Sequence, residues 1–145
     1  MEISTIGFTK HAARSFFGRL KEAGIQQLVD VRLNNVSQLA GFAKRDDLSF
    51  FLREIIGANY IHEPLLAPSA ETLIAYRNKE ISWSEYEKEY LRLLESRNVS
   101  KALSRGFFEP RTVLLCSEHT PEQCHRRLAV EYLNDSWGGI TITHL

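Results

Sequence analysis

Short apolar runs alternate along the chain with segments of helical periodicity. Residues 3–7 and 25–31 read as buried strands, and a third run at 59–62 is a shorter strand candidate. A β-branched apolar run ends at Cys116, and alternating residues at 140–145 predict a last strand. The pattern therefore predicts four or five strands.

Helical stripes lie between these runs. The first helix is predicted to be capped by Thr9 and to end at Gly24, and its stripe consists of Ala13, Phe16, Phe17 and Leu20. The second is predicted to be capped by Asp46 or Asp47, with a stripe of Leu48, Phe51, Leu52, Ile55 and Ile56. Between them, residues 33–43 lack periodicity and predict an irregular loop.

Three further helices are predicted after Pro68, together with a turn or helix around Val99 to Ser104. Ser69 predicts the start of a short helix that reaches about Arg77, and Ser82 with Glu85 forms a capping box before a longer one. The stripe of that longer helix consists of Tyr86, Tyr90, Leu93, Leu94 and Arg97, so its aromatic residues favour helix packing. A last helix is predicted from Thr120 to about Asp135.

Strands separated by helices favour right-handed crossovers and a mainly parallel sheet with helices on both faces. We predict a single α/β domain over residues 1–145, in a three-layer, Rossmann-like arrangement. Ligands of such folds bind beyond the carboxyl ends of the strands. These ends carry Gly7, Asp30 to Arg32, His62 and Cys116 to Glu118, which we expect in one crevice.

The composition argues against an overall attraction for polyanions and against a membrane span. Eighteen basic and eighteen acidic residues cancel, so no overall field attracts polyanions. The apolar runs are too short to cross a membrane, and the first residues lack the pattern of a signal peptide. We therefore expect a cytoplasmic protein without a membrane partner. In that compartment its two cysteines are better suited to free thiols, ligands or redox partners than to a structural disulfide.

Residues 111–128 concentrate the chemistry. Both cysteines lie here, and Thr120, Pro121 and Gln123 read as a capped helix start, where backbone amides favour an anion. Arg126 or Arg127 could add bidentate contacts to such an anion. Glu118 and Glu122 introduce negative charge at the same place, so an internal network of arginine and glutamate is the alternative.

Cys116 at a strand end beside a helix start is a candidate thiolate nucleophile, and His125 is its candidate base. The alternative is a buried cysteine that acts as a small apolar residue. Four zinc-type ligands stand in ten positions: Cys116, His119, Cys124 and His125. Adjacent helical residues diverge by about 100°, so Cys124 and His125 should not converge on one ion. We predict no metal and no cofactor, and a disulfide between the two cysteines would be at most regulatory.

Three motifs resemble a family of mostly prokaryotic proteins known as domain of unknown function 488. They are Ser4-Thr5-Ile6-Gly7-Phe8, Leu28-Val29-Asp30-Val31-Arg32, and Leu114-Leu115-Cys116-Ser117-Glu118 with Cys124-His125-Arg126-Arg127. The resemblance implies a small α/β domain, and it marks as signature positions Asp30, Arg32, Cys116, Glu118, Cys124, His125 and Arg126. His119 lies outside this signature. Leu33-Asn34-Asn35 and Leu66-Ala67-Pro68 depart from the commoner pattern, so substrate preference could differ. The family implies no activity.

The leading hypothesis is an anion site for a small ligand, a nucleotide or a nucleic-acid phosphate, with enzymatic activity undecided. Cys116, Glu118 and His125 are the candidate catalytic residues. Those predicted to bind or orient the ligand are Asp30, Arg32, Cys124 and Arg126. Rhodanese-like sulfur transfer at Cys116 is one alternative, and a binding or adaptor module with a purely structural signature is the other.

Overall fold

The computed structural model describes residues 1–36 and 41–145, and within them five strands form one fully parallel sheet. The strands are β1 (Glu2–Gly7), β2 (Gln27–Asp30), β3 (Asn59–His62), β4 (Thr112–Cys116) and β5 (Thr141–His144). Their order across the sheet is β3-β2-β4-β1-β5. This arrangement confirms the predicted parallel sheet and the upper end of the predicted strand number.

Helices connect consecutive strands. They are α1 (Ala13–Glu22), α2 (Arg45–Ile56), α3 (Ala70–Arg77), α4 (Trp83–Ser96), α5 (Val99–Ala102) and α6 (His125–Trp137). Short 3₁₀ segments lie at Gly41–Ala43, Pro64–Leu66 and Arg105–Phe108. The predicted caps Ser69 and Ser82 are confirmed, because each hydroxyl accepts a hydrogen bond from a first-turn amide. No helix in residues 1–36 and 41–145 is long and apolar enough to cross a membrane.

Two apolar cores cover the two faces of the sheet, which confirms the three-layer α/β fold. One core joins α1 and α2 to the sheet through Phe16, Leu20, Leu48, Leu52, Val113 and Leu115. The other joins α4, α5 and α6 to the sheet through Tyr90, Leu94, Val99, Leu128, Leu114 and Cys116. Alternate residues of β4 therefore face opposite layers, and the Cys116 side chain lies in the layer of α4 and α6.

Three predicted helix starts are wrong. Thr9 does not cap α1, because its hydroxyl donates to the carbonyl of Ser117, and α1 starts after Ala12. Asp46 and Asp47 lie inside the first turn of α2 rather than before it. The predicted loop at 33–43 contains a 3₁₀ turn from residue 41; its residues 37–40 lie outside the described part of the chain.

The third wrong helix start is that of α6, the helix next to the candidate site residues. Residues 117–124 form bends and turns, and α6 begins only at His125. Thr120, Pro121 and Gln123 consequently form no helix start. Helical amides at these residues therefore cannot favour an anion, and the anion site itself stays a prediction. Backbone contacts explain the difference, because the carbonyls of Glu118 and His119 point to Arg126 instead of opening a helix.

Strand order creates the crevice. β1 and β4 are neighbours, but β1 continues into α1 on one face while β4 continues into α6 on the other. The connections diverge at the carboxyl ends, as at a switch point of an open α/β sheet. Gly7 ends β1 directly beside this divergence, and a Cβ there would overlap the carbonyl oxygen of Glu118. The site lies at this edge.

Candidate active site

Cys116, Cys124 and His125 converge behind the carboxyl end of β4. Their two Sγ atoms and one ring nitrogen of His125 all lie within 4.8 Å of one another, and all three residues are buried. The convergence contradicts the prediction that Cys124 and His125 diverge. Cys124 precedes α6 with extended backbone angles (φ −140°, ψ 135°), so the helical angle between neighbours does not apply to it.

His125 connects β4 to the loop that follows β2. Its Nδ1 lies 3.5 Å from the Cys116 sulfur, and its Nε2 lies 2.8 Å from the carbonyl oxygen of Val31. A carbonyl oxygen only accepts, so Nε2 carries a hydrogen and Nδ1 is left to exchange a proton with the sulfur. The edge of the ring packs on Tyr90 at 5.5 Å between centroids. The structure thus brings the predicted nucleophile and base into contact, and their catalytic roles stay a prediction.

Electrostatics favour a thiolate at Cys116. Burial alone would raise the pKa of this thiol, but the hydrogen bond from Cys124, the charge and hydrogen bond of His125 and the amide of Glu118 bring its pKa well below the usual value. Burial alone would lower the pKa of His125, and the neighbouring Cys116 charge raises it overall. A thiolate and an imidazolium thus stabilise each other. Cys124 stays protonated, since burial and the Cys116 charge raise its pKa.

Asp30 and Arg32 form a buried ion pair beside this cluster. The Arg32 guanidinium donates to both Asp30 oxygens, each at 2.8 Å, and also to the carbonyl of Ala43 at 2.7 Å. Tyr60 donates its hydroxyl to Asp30 at 2.6 Å, and His62 contacts the Arg32 carbonyl. The network fixes the backbone after β2, which includes the Val31 carbonyl that holds His125.

Arg126 is only 1% exposed, and it holds the loop that follows β4. One guanidinium nitrogen donates to the Glu118 carbonyl at 2.5 Å and the other to the His119 carbonyl at 3.3 Å. The first also lies 3.6 Å from the Cys124 sulfur. Neither Glu118 nor Glu122 forms a side-chain ion pair with an arginine among the described residues, so the predicted arginine–glutamate network is absent from that part of the chain.

A cavity of about 60 Å³ opens on the cluster. Cys116, Cys124 and His125 line its inner end, and aromatic side chains of α3 and α4 line another wall; they are Tyr76, Trp83 and Tyr86. Arg77, Gln123 and the exposed Glu118 also border it. The sequence pattern assigned Tyr86 to helix packing and gave neither Tyr76 nor Arg77 a role in a site. Helical spacing carries no signal that distinguishes a cavity wall from a core.

Three soft donor atoms so close together are suited in principle to an ion such as Zn²⁺. The fourth predicted donor, His119, is elsewhere, because its Nδ1 contacts the Thr9 carbonyl at 3.0 Å. The three groups satisfy one another without an ion, through the thiol–thiol and thiol–imidazole hydrogen bonds. The absence of a bound metal therefore stays a prediction.

The comparisons with known proteins agree with the resemblance seen in the sequence motifs. No curated protein and no solved structure matches the chain. A family model described as "Domain of unknown function DUF488" matches residues 12–133, a span that includes β2, β4, the loop after β4 and most of α6. Since this match covers most of the 145 residues, the chain belongs to the DUF488 family.

Proposed function

We propose that the protein is a cysteine-dependent enzyme in which Cys116 is the nucleophile and His125 its proton partner. The observation that carries the proposal is the 3.5 Å contact between Cys116 Sγ and His125 Nδ1, with the other ring nitrogen held by the Val31 carbonyl. A nucleophile next to a base that a third group orients is the recurrent arrangement of covalent catalysis.

The cavity sets the size of the reacting group. A volume of about 60 Å³ admits a few water-sized groups, so only a small electrophile or the tip of a larger molecule reaches the sulfur. The aromatic wall suits an apolar or flat neighbouring part. Arg77, exposed at the rim, is the side chain that would meet a negative charge. A small anionic substrate therefore fits better than a nucleic-acid duplex.

The other predicted site residues receive positioning roles in this proposal. Arg32 and Arg126 already donate to protein acceptors, so they hold the backbone around the site instead of the substrate. Asp30 fixes Arg32. Glu118 contributes its amide to the Cys116 sulfur and borders the cavity.

Chemical modification tests the nucleophile. The folded protein, treated with a slight excess of iodoacetamide near neutral pH, is expected to be alkylated at Cys116 within minutes, as shown by peptide mapping. Cys116→Ser should abolish the rapid phase, and His125→Asn should slow it by about tenfold or more, in line with the usual contribution of a positioned base. Prior removal of metal with a chelator should leave the wild-type rate unchanged.

An inert Cys116 that reacts only after denaturation would instead support the structural or adaptor reading. Faster alkylation of Cys116 after chelation would mean that a metal ion had been bound to the cysteine thiols. Both results can be read on the same peptide map, because the chain contains only two cysteines.

A matched pair of reagents tests the role of Arg77. Iodoacetate carries a negative charge and iodoacetamide does not, so Arg77→Ala should slow alkylation by iodoacetate several-fold more than alkylation by iodoacetamide. Arg92→Ala is the control, since Arg92 lies exposed on α4 and pairs with Glu89 away from the cavity. If Arg77→Ala slows alkylation by iodoacetate no more than alkylation by iodoacetamide, as is expected for Arg92→Ala, then Arg77 does not attract negative charge to the site and has no role in the proposal.

Sulfur transfer is the second candidate, because the cavity at Cys116 has room for one additional sulfur atom beside the Glu118 amide. Thiosulfate would leave a persulfide on Cys116 and release sulfite, and cyanide would then remove the outer sulfur as thiocyanate. Thiocyanate formation that depends on Cys116 would select this reaction.

A further inference from the structure

Cys124 donates a hydrogen bond to the Cys116 sulfur, but a reaction that needs only one nucleophile gives Cys124 no bond-forming step of its own. It is 2% exposed, and its sulfur lies within 4.8 Å of the Cys116 sulfur and faces the same cavity. These two residues are the only cysteines of the chain. The position of Cys124 is that of a second thiol that reacts with an intermediate on Cys116.

We infer that Cys116 and Cys124 form a two-thiol redox centre that reduces a small hydroperoxide, with Cys116 as the attacking thiol and Cys124 as the resolving thiol. This inference rests on the proposed nucleophilic role of Cys116. It names a small neutral hydroperoxide, which is also the oxidant, as the substrate in place of the small anion considered above, and it adds a catalytic role for Cys124.

The first step oxidises Cys116. Its thiolate attacks the terminal oxygen of the hydroperoxide, the O–O bond breaks, and the alkoxide or hydroxide that leaves takes the proton of the His125 imidazolium. Cys116 becomes a sulfenic acid and the peroxide becomes an alcohol or water. His125 Nδ1, 3.5 Å from the Cys116 sulfur, is close enough to deliver that proton into the cavity.

The second step forms the disulfide. The Cys124 sulfur attacks the sulfenic sulfur, an S–S bond forms, the S–O bond breaks, and hydroxide leaves as water with the Cys124 proton. His125, now neutral, can relay this proton. The guanidinium of Arg126, 3.6 Å from the Cys124 sulfur, stabilises negative charge there during the attack. An external dithiol then restores both thiols by exchange.

The loop that carries Cys124 permits the approach of the two sulfur atoms. A disulfide needs about 2.05 Å between them, so Cys124 must move toward Cys116. Cys124 lies before α6 in the irregular segment 117–124, and its side chain makes no capping hydrogen bond to the helix. The approach is therefore a rotation of the Cys124 side chain, which leaves in place the hydrogen bond from the Arg127 amide to the Cys124 carbonyl at the start of α6.

Access explains why a hydroperoxide fits better than a disulfide substrate. Cys116 is 4% exposed at the end of a cavity of about 60 Å³. The sulfur atoms of another protein's disulfide could not reach it without the cavity walls opening, whereas hydrogen peroxide is little larger than water.

A stoichiometric titration tests this inference. Reduced wild-type protein is mixed with one equivalent of hydrogen peroxide, and free thiols are counted after denaturation. The expected result is the loss of both thiols, a Cys116–Cys124 disulfide in the peptide map, and full recovery with dithiothreitol. Cys124→Ser should instead accumulate a sulfenic acid at Cys116 that dimedone traps, and Cys116→Ser should leave Cys124 unoxidised on the same timescale.

Circular dichroism of both variants establishes that they are folded before the titration. Oxidation of Cys116 without a disulfide in the wild type, or a wild-type Cys116 that ignores peroxide, would overturn the inference. If iodoacetamide still alkylates Cys116 rapidly in that same preparation, the nucleophile survives and only the redox role fails. If alkylation is also absent, the proposed function fails with it.

Discussion

His125 has its orientation determined by Val31 and the two residues next to it in the chain, of which only Arg32 borders the cavity. Its Nε2 donates to the carbonyl of Val31, and Val31 lies between Asp30 and Arg32, whose side chains form a buried pair. Fixing these two neighbours also fixes the carbonyl between them. The pair thus acts on Cys116 through the backbone and the imidazole ring, in addition to the direct attraction between the Arg32 charge and a Cys116 thiolate.

Asp30→Asn is expected to destabilise the fold, because it leaves the Arg32 charge buried without its carboxylate. Removing one partner of a buried pair costs about 3–5 kcal/mol in the free energy of unfolding, whereas an exposed pair contributes under about 1 kcal/mol. The exposed pair of Glu89 and Arg92 supplies the control, through Glu89→Gln. Urea denaturation measures the free energy of unfolding of both variants. If Asp30→Asn lowers it as little as Glu89→Gln does, the Asp30–Arg32 pair does not stabilise the backbone after β2.

The pairing of Cys116 with His125 was predictable, since a strand end and a helix start concentrate such residues. The convergence of Cys124 with His125 was not, because it depends on α6 beginning at residue 125. Nor does the sequence reveal that Arg126 donates to backbone carbonyls. Residue type indicates what a guanidinium can bind, but only the path of the loop decides which acceptor reaches it first.

The loop between β4 and α6 is held from two sides. Arg126 holds the carbonyls of Glu118 and His119, and the end of β1 packs against the same loop at Gly7. Thr9 also donates to the Ser117 carbonyl from its amide and its hydroxyl. These contacts keep the Glu118 amide beside the Cys116 sulfur, where it favours the thiolate.

Gly7→Ala should push the loop away from β1, because the added Cβ would overlap the Glu118 carbonyl oxygen and approach the Arg126 guanidinium. We expect a loss of about 1–3 kcal/mol in the free energy of unfolding, as for overpacked cores, and slower alkylation of Cys116. Gly18→Ala in α1 is the matched control, since its Cβ would meet no atom within 4 Å. That control should gain about 0.5–1 kcal/mol. Equal alkylation rates in the two variants would contradict the role given to the loop.

Secondary structure was largely predictable from periodicity, while helix starts were not. The stripes of α1, α2 and α4 identified their helices, and the capping box at Ser82 located one boundary. A cap was wrongly predicted where a distant part of the chain hydrogen-bonds to the same side chain. The Thr9 hydroxyl, for example, donates to the Ser117 carbonyl. The strand order also required the structure, since the local pattern does not reveal that β4 lies between β1 and β2.

Stability of the complete domain should depend on pH through the thiolate–imidazolium pair. Cys116 has a lowered pKa when folded, so its contribution is full above the ordinary thiol pKa and falls as pH decreases from there. His125 has a raised pKa, so its contribution is full below the ordinary imidazole pKa and falls as pH increases from there. Between about pH 6.5 and 8.5, the two ordinary values, these slopes cancel.

The pair therefore predicts a plateau of stability between those two pH values, with losses on both sides. Urea denaturation across this range, compared with the double variant Cys116→Ser and His125→Asn, isolates the contribution of the pair. The difference between the two proteins should be flat at neutral pH and shrink in acid and in alkali. A difference that does not change with pH would mean that the two groups are neutral in the folded protein.

The thiolate at Cys116 is tested most directly by its ultraviolet absorbance during an acid titration of the folded protein. The wild type is predicted to show one thiolate at neutral pH that Cys116→Ser lacks and Cys124→Ser keeps, because the charge belongs to Cys116. His125→Asn should shift its protonation to higher pH. Absorbance that appears only at alkaline pH, with the same midpoint in wild type and His125→Asn, would contradict the claim that His125 holds Cys116 as a nucleophile.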